Sequence, residues 1–185
     1  MITQTNTPVV LIELDQTSWN EFYDRAALWF DNLLLVQSSY RQLLEDTAGK
    51  ISEFHIQVYL SEMADRARVH EAKINDLYAL IHRNRSAIRQ GLGTLLGKAD
   101  QVVGDLMAVS SGIAGPWADL HQLYLSCTNT LSAFGVAEQI GLALGIPEII
   151  DLVFPIELEK ATDQRLLQEL ALEMAGIAIL YRQPF

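Results

Sequence analysis

The chain has 185 residues, half of them hydrophobic and 19% charged, which suits one folded domain over residues 1–185 rather than a disordered chain. Its net charge of -10 argues against a nucleic-acid partner, because such a surface repels phosphate. A single cysteine, Cys127, excludes an internal disulfide and fits a reducing, cytoplasmic setting.

Residues 1–16 read as an N-terminal arm, apolar enough over 9–14 to pack in extended form on a helical body. The first helix is expected to open at Ser18, with Glu21 completing a capping box, and to close at Gly49. Its apolar stripe runs through Trp19, Phe22, Ala26, Trp29 or Phe30, Leu33, Tyr40, Leu43 and Leu44. In the second helix Ile56, Leu60, Met63, Ala67, His70, Ile74, Leu77 and Ile81 alternate steps of four and three. That rhythm marks one face of a bundle helix. The basic run His82, Arg83, Arg85 and Arg89 falls at this helix's end, where cations complement the helix dipole.

Glycines punctuate residues 84–115, which read as a long crossover carrying a short amphipathic helix over 99–109. Simple up-down bundles need only short loops, so the long link predicts a ferritin-like antiparallel four-helix bundle, all-α in class. The third helix opens at Gly115-Pro116, runs through Leu120, Leu123, Cys127, Leu131, Phe134 and Ala137, and ends at Gly145. The fourth opens at Pro147, and Pro155 is expected to kink or split it. Its inward stripe is expected to be Leu152, Ile156, Glu159, Asp163, Leu166, Leu170 and Ile177. Polar residues at 168, 169 and 173 interrupt its apolar end, so no membrane partner is expected, but the wide apolar face there suggests a homodimer. No leader sequence is expected at the N-terminus either.

Ionisable groups break the apolar stripes in two places. Glu159 and Asp163 lie four apart on one face of the fourth helix, and His70 occupies a core position of the second. Inward carboxylates opposite an imidazole form part of a metal site of the kind built inside bundles, with iron or manganese the candidate cofactor. The bland reading is a histidine hydrogen-bonded across the bundle and carboxylates satisfied by Lys160, Arg165 or a tyrosine. The Glu-x-x-His pair of di-iron bundles would also want an acid at position 67, where this chain has Ala67. His55, Tyr59, Glu62 and Arg66 form a second, polar stripe that reads as a solvated face.

The segment from Ala137-Glu138-Gln139-Ile140-Gly141 through Leu144-Gly145-Ile146 to Glu157-Leu158-Glu159-Lys160-Ala161-Thr162-Asp163 and Leu166 resembles the second half of the bacterial ferritin-like proteins typified by YciF. The resemblance implies a four-helix bundle, a dimer, a dinuclear metal site and a stress-associated role. Glu159 and Asp163 match its fourth-helix acidic positions. The first-helix glutamate falls at Tyr40, the second-helix histidine at Lys73, one turn beyond His70, and the third-helix glutamate near Ser126 or Thr130. The expectation is a ferritin-like bundle with a degraded dimetal site, no cofactor and no enzymatic activity. Its rivals are an atypical dimetal oxidase or metal-storage protein using Glu159, Asp163 and His70, and a bundle holding a small apolar ligand.

Overall fold

The computed structural model describes residues 15–84 and 115–181. Four helices and no strand occur among them: α1 Gln16–Ala48, α2 Phe54–Leu80, α3 Pro116–Leu144 and α4 Pro147–Tyr181. The expected short helix over 99–109 and nearly all of the N-terminal arm lie outside the described residues.

Local chemistry sets most boundaries as expected, with corrections. Asp15, not Ser18, caps α1: its carboxylate accepts the Ser18 N–H at 2.7 Å, one turn earlier than the capping box predicts. α1 stops at Ala48 with Gly49 as its C-cap. Proline opens both α3 and α4, where the missing N–H costs nothing. Pro155 does not split α4, which is continuous over 35 residues. Both Pro155 and Asp151, whose carbonyl loses its helical donor, are exposed, so water can serve the freed carbonyl.

α3 ends on Gly145 in the left-handed conformation, φ 67°, and the Ile146 N–H returns to the Gly141 carbonyl at 3.0 Å. This cap reverses the chain within two residues and brings α4 tightly against Gly141. A Cβ at 141 would stand 2.8 Å from Ile149 Cγ2 and 2.9 Å from its Cβ. Ile149 is fully buried and β-branched, so it has little freedom to retreat. Gly141→Ala is therefore expected to cost about 1–3 kcal/mol in urea denaturation, an overpacking penalty that a wild-type midpoint would refute.

Contacts between the helices fix their directions. α1 and α2 are antiparallel, since Tyr78 meets Asp31 and Gln37 meets the Ala67 carbonyl. α3 and α4 are antiparallel, tied by Trp117 to Ala171 and by Cys127 to Lys160. Trp29 bonds to Ala133 while Lys50 pairs with Asp119, so α1 also opposes α3. α2 and α3 consequently point the same way. The end of α2, where Arg83 bonds to Asp24, and the start of α3 beside Lys50 stand at opposite ends of the bundle.

The core falls into two apolar halves. One packs Phe30, Leu33, Ile74, Leu77, Phe134, Val153 and Ile156; the other packs Leu44, Ile56, Leu60, Met63, Leu120, Leu123, Leu167 and Leu170. The 4-3 stripe of α2 is buried at every position from Ile56 to Ile81, as its spacing predicts. Between the halves lies a buried layer that is not apolar: Gln37, His70, Thr130, Lys160 and Asp163.

Candidate functional site

Each helix contributes to the polar layer. α1 supplies Gln37 and Tyr40, α2 supplies Arg66 and His70, α3 supplies Cys127, and α4 supplies Glu159, Lys160 and Asp163. At its centre is Lys160, which is fully buried. Its Nζ lies 3.9 Å from the centroid of the Tyr40 ring. It has no hydrogen-bond partner among the described residues. The π face of Tyr40 attracts the ammonium electrostatically but accepts no full hydrogen bond, which leaves the desolvation cost largely in place. Burial accordingly pulls the Lys160 amine down to about 8, with Arg66 adding repulsion and Cys127 and Asp163 opposing.

Asp163 Oδ1 accepts from Arg66 Nη2 at 2.6 Å, a short charge-assisted bond reaching from α2 to α4. Its other oxygen, Oδ2, is buried without a partner among the described residues. Burial raises the Asp163 carboxyl above its ordinary value, and the Arg66 contact offsets this only in part. His70 Nε2 lies 2.8 Å from Glu159 Oε2. A carboxylate only accepts, so Nε2 carries the hydrogen and Nδ1 presents a lone pair into the core, unpartnered among the described residues. Burial, and then the nearby Lys160 charge, push His70 down to about 4, so at neutral pH the imidazole is uncharged.

Cys127 Sγ donates weakly to the Lys160 carbonyl at 3.6 Å. Burial raises this thiol's pKa and drives the Tyr40 hydroxyl well above the usual phenol range, so both stay protonated. Gln37 fixes the layer from α1 by donating to the Ala67 carbonyl at 3.0 Å. The layer is covered from solvent at the α2–α4 seam by two partly exposed side chains, Arg66 at 37% and Glu159 at 46%.

The candidate metal residues are thus brought together but committed elsewhere: His70 to Glu159 and Asp163 to Arg66. Among the described residues no group of three or more His, Cys, Asp or Glu side chains is arranged to hold a metal ion. The expectation that Glu159 points inward is corrected. Asp163 is buried, but Glu159 sits at the rim, and the inward residue of that turn is Lys160. α4 is rotated from the expected stripe, burying Val153, Ile156, Lys160, Asp163, Leu167, Leu170 and Met174 in unbroken steps of three and four. That rhythm was available in the sequence, but a lysine at its centre argues for solvent until the packing is seen. Arg66, expected on a solvated face, reaches across to Asp163.

The described residues of this layer do not present the ligand spacing of a di-iron bundle. In di-iron bundles two helices each supply a glutamate and the other two each supply Glu-x-x-His. Here the corresponding spacings read Ala67-x-x-His70 on α2 and Lys160-x-x-Asp163 on α4, with Tyr40 and Cys127 facing them from α1 and α3. A fixed ammonium repels a cation inside a low-dielectric core.

A separate surface groove of about 420 Å³, lined by Glu45, Gln57, Ser61, Asp65 and Arg68 among others, shares no residue with the layer. No family model, curated protein or solved structure matches the chain. Among the described residues no helix is long and apolar enough to cross a membrane.

Proposed function

We propose that this protein is a ferritin-like bundle that works in the cytoplasm without a dinuclear metal centre and without enzymatic turnover, with the stress-associated role that its resemblance implies. The observation that carries this reading is the buried ammonium of Lys160 in the layer where such bundles place their ligands. The helix directions support it, because α2 and α3 point the same way, which simple up-down connectivity does not produce. The test is elemental analysis of the purified protein after loading with iron, manganese or zinc and desalting. Substoichiometric metal is expected. A dinuclear complement that disappears in Asp163→Asn would overturn the proposal and restore a dimetal oxidase or storage protein using Glu159, Asp163 and His70.

The same reading includes a homodimer formed through α4. Phe154, Leu158 and Leu172 are exposed and share one side of that helix by their spacing. Light scattering on the eluting peak is expected to give twice the chain mass, and a monomer at micromolar concentration would exclude this arrangement.

A further inference from the structure

A buried amine without an acceptor is an unusual thing for a core to keep, and it has company. Among the described residues the buried polar atoms without partners include Lys160 Nζ, Tyr40 Oη, Asp163 Oδ2, His70 Nδ1 and Gln37 Oε1, all of them in the one layer. Native interiors satisfy nearly all such groups, so five together point to a ligand that carries both donor and acceptor character. The chemistry of the five restricts what that ligand can be. Asp163 and Glu159 already set two carboxylates beside the layer, and Arg66 is committed to Asp163, which disfavours an anion. The layer is enclosed between two apolar halves of the core, which favours a small, uncharged ligand. The amine offers the remaining specificity. A desolvated lysine with no carboxylate or carbonyl holding its protons is the kind of amine that adds to carbonyl carbon.

We propose that the layer is a covalent binding site for a small uncharged aldehyde or ketone, with the Lys160 amine as its nucleophile. The Lys160 ammonium first releases one proton to solvent; the nitrogen lone pair so freed forms a bond to the carbonyl carbon while the carbonyl π pair moves to oxygen. The oxygen then leaves as water, taking both amine hydrogens overall, and a carbon–nitrogen double bond remains. The reaction consumes no oxidant or reductant. Tyr40 lies against the amine and Asp163 acts on its charge, so their unpartnered Oη and Oδ2 are assigned the passage of those protons, and the half-exposed Glu159 and Arg66 side chains mark the α2–α4 seam as the side of entry. The adduct is bound rather than turned over, in keeping with the metal-free, non-enzymatic reading on which it rests.

The experiment traps the imine on the intact protein. Glycolaldehyde at limiting concentration is added with cyanoborohydride and chelator at neutral pH, and modification is mapped by peptide mass spectrometry. Lys50, whose side chain is 59% exposed, is the internal reference. Lys160 is expected to be modified about tenfold faster than Lys50, with the preference lost when the protein is unfolded in guanidinium before labelling. Tyr40→Phe, confirmed as folded by circular dichroism, is expected to slow labelling of Lys160 and leave Lys50 unchanged. Labelling of Lys160 at or below the rate of Lys50 would overturn the proposal. Because chelator is present throughout and metal content is measured separately, a failure here is distinct from a failure of the metal-free reading.

Discussion

Replacing Lys160 by methionine is expected to stabilise the protein by about 2 kcal/mol at pH 7. The side chain is fully buried, and its amine is held at about 8 against an ordinary 10.5. A displacement of that size corresponds to roughly 3 kcal/mol of cost for keeping the charged form inside. The attraction of the Tyr40 ring, about 1–2 kcal/mol for a desolvated cation, favours the charged form separately and offsets part of that cost, leaving a net gain of about 2 kcal/mol. Methionine keeps the length and the apolar stem and removes the charge.

The sign of the pH dependence follows from which state holds the proton. Between about 8 and 10.5 the unfolded chain retains a proton that the folded chain has released, so this group makes the wild type more stable as pH rises through that window. Below pH 8 the cost is present in full; above 10.5 it is gone. Tyr40, raised well above 10, acts in the opposite direction at high pH, but it is present in both proteins and largely cancels in their difference. Urea denaturation at pH 7 and pH 10 should therefore show the advantage of Lys160→Met shrinking at the higher pH. A variant less stable than wild type at pH 7, or a gap that ignores pH, would show that the ammonium is well solvated in the folded protein.

The second large effect is expected at Asp163. Asp163→Ala removes the buried partner of Arg66 and a carboxylate that favours the Lys160 charge, leaving the two cations of α2 and α4 without it. The loss is expected to be about 3 kcal/mol, at the lower end for a broken buried pair because Arg66 is a third exposed and can turn toward water. The raised carboxyl of Asp163 carries a further consequence: its desolvation outweighs the help from Arg66, so the pair as a whole contributes little. Replacing both members, Arg66→Met with Asp163→Leu, should consequently cost far less than Asp163→Ala alone. A thermal-denaturation cycle measures this. Simple additivity of the single variants would mean the pair is not coupled.

Much of the fold is legible in the residues themselves. The inward stripe of α2 from Ile56 to Ile81 is legible because it carries only apolar side chains and one histidine, spaced by fours and threes. The openings at Pro116 and Pro147 and the close at Gly145 follow from what proline lacks and glycine permits. The candidate site is legible only in part. His70, Asp163, Tyr40 and Cys127 stand on core stripes, so their burial can be foreseen. The phase of α4 cannot be settled by local rules, because Glu159 and Asp163 on one hand, and Lys160 and Asp163 on the other, both fit a helical face. Only the partners across the bundle decide: Tyr40 and Cys127 receive Lys160, while His70 holds Glu159 at the rim. Arg66 differs from its expected solvated role for the same reason, since a long side chain on a polar stripe can still reach a buried acid on the facing helix.

The parallel direction of α2 and α3 also bears on how the chain assembles. Each antiparallel pair, α1 with α2 and α3 with α4, is made of contacts near in sequence and can form early. Lys160 meets α1 and α2 only when the two pairs come together, so in a lone α3–α4 hairpin its ammonium would still be hydrated. The cost of drying it therefore belongs to the joint between the two helix pairs rather than to either pair alone. The layer that most distinguishes this core is thus also where joining its two halves gains least.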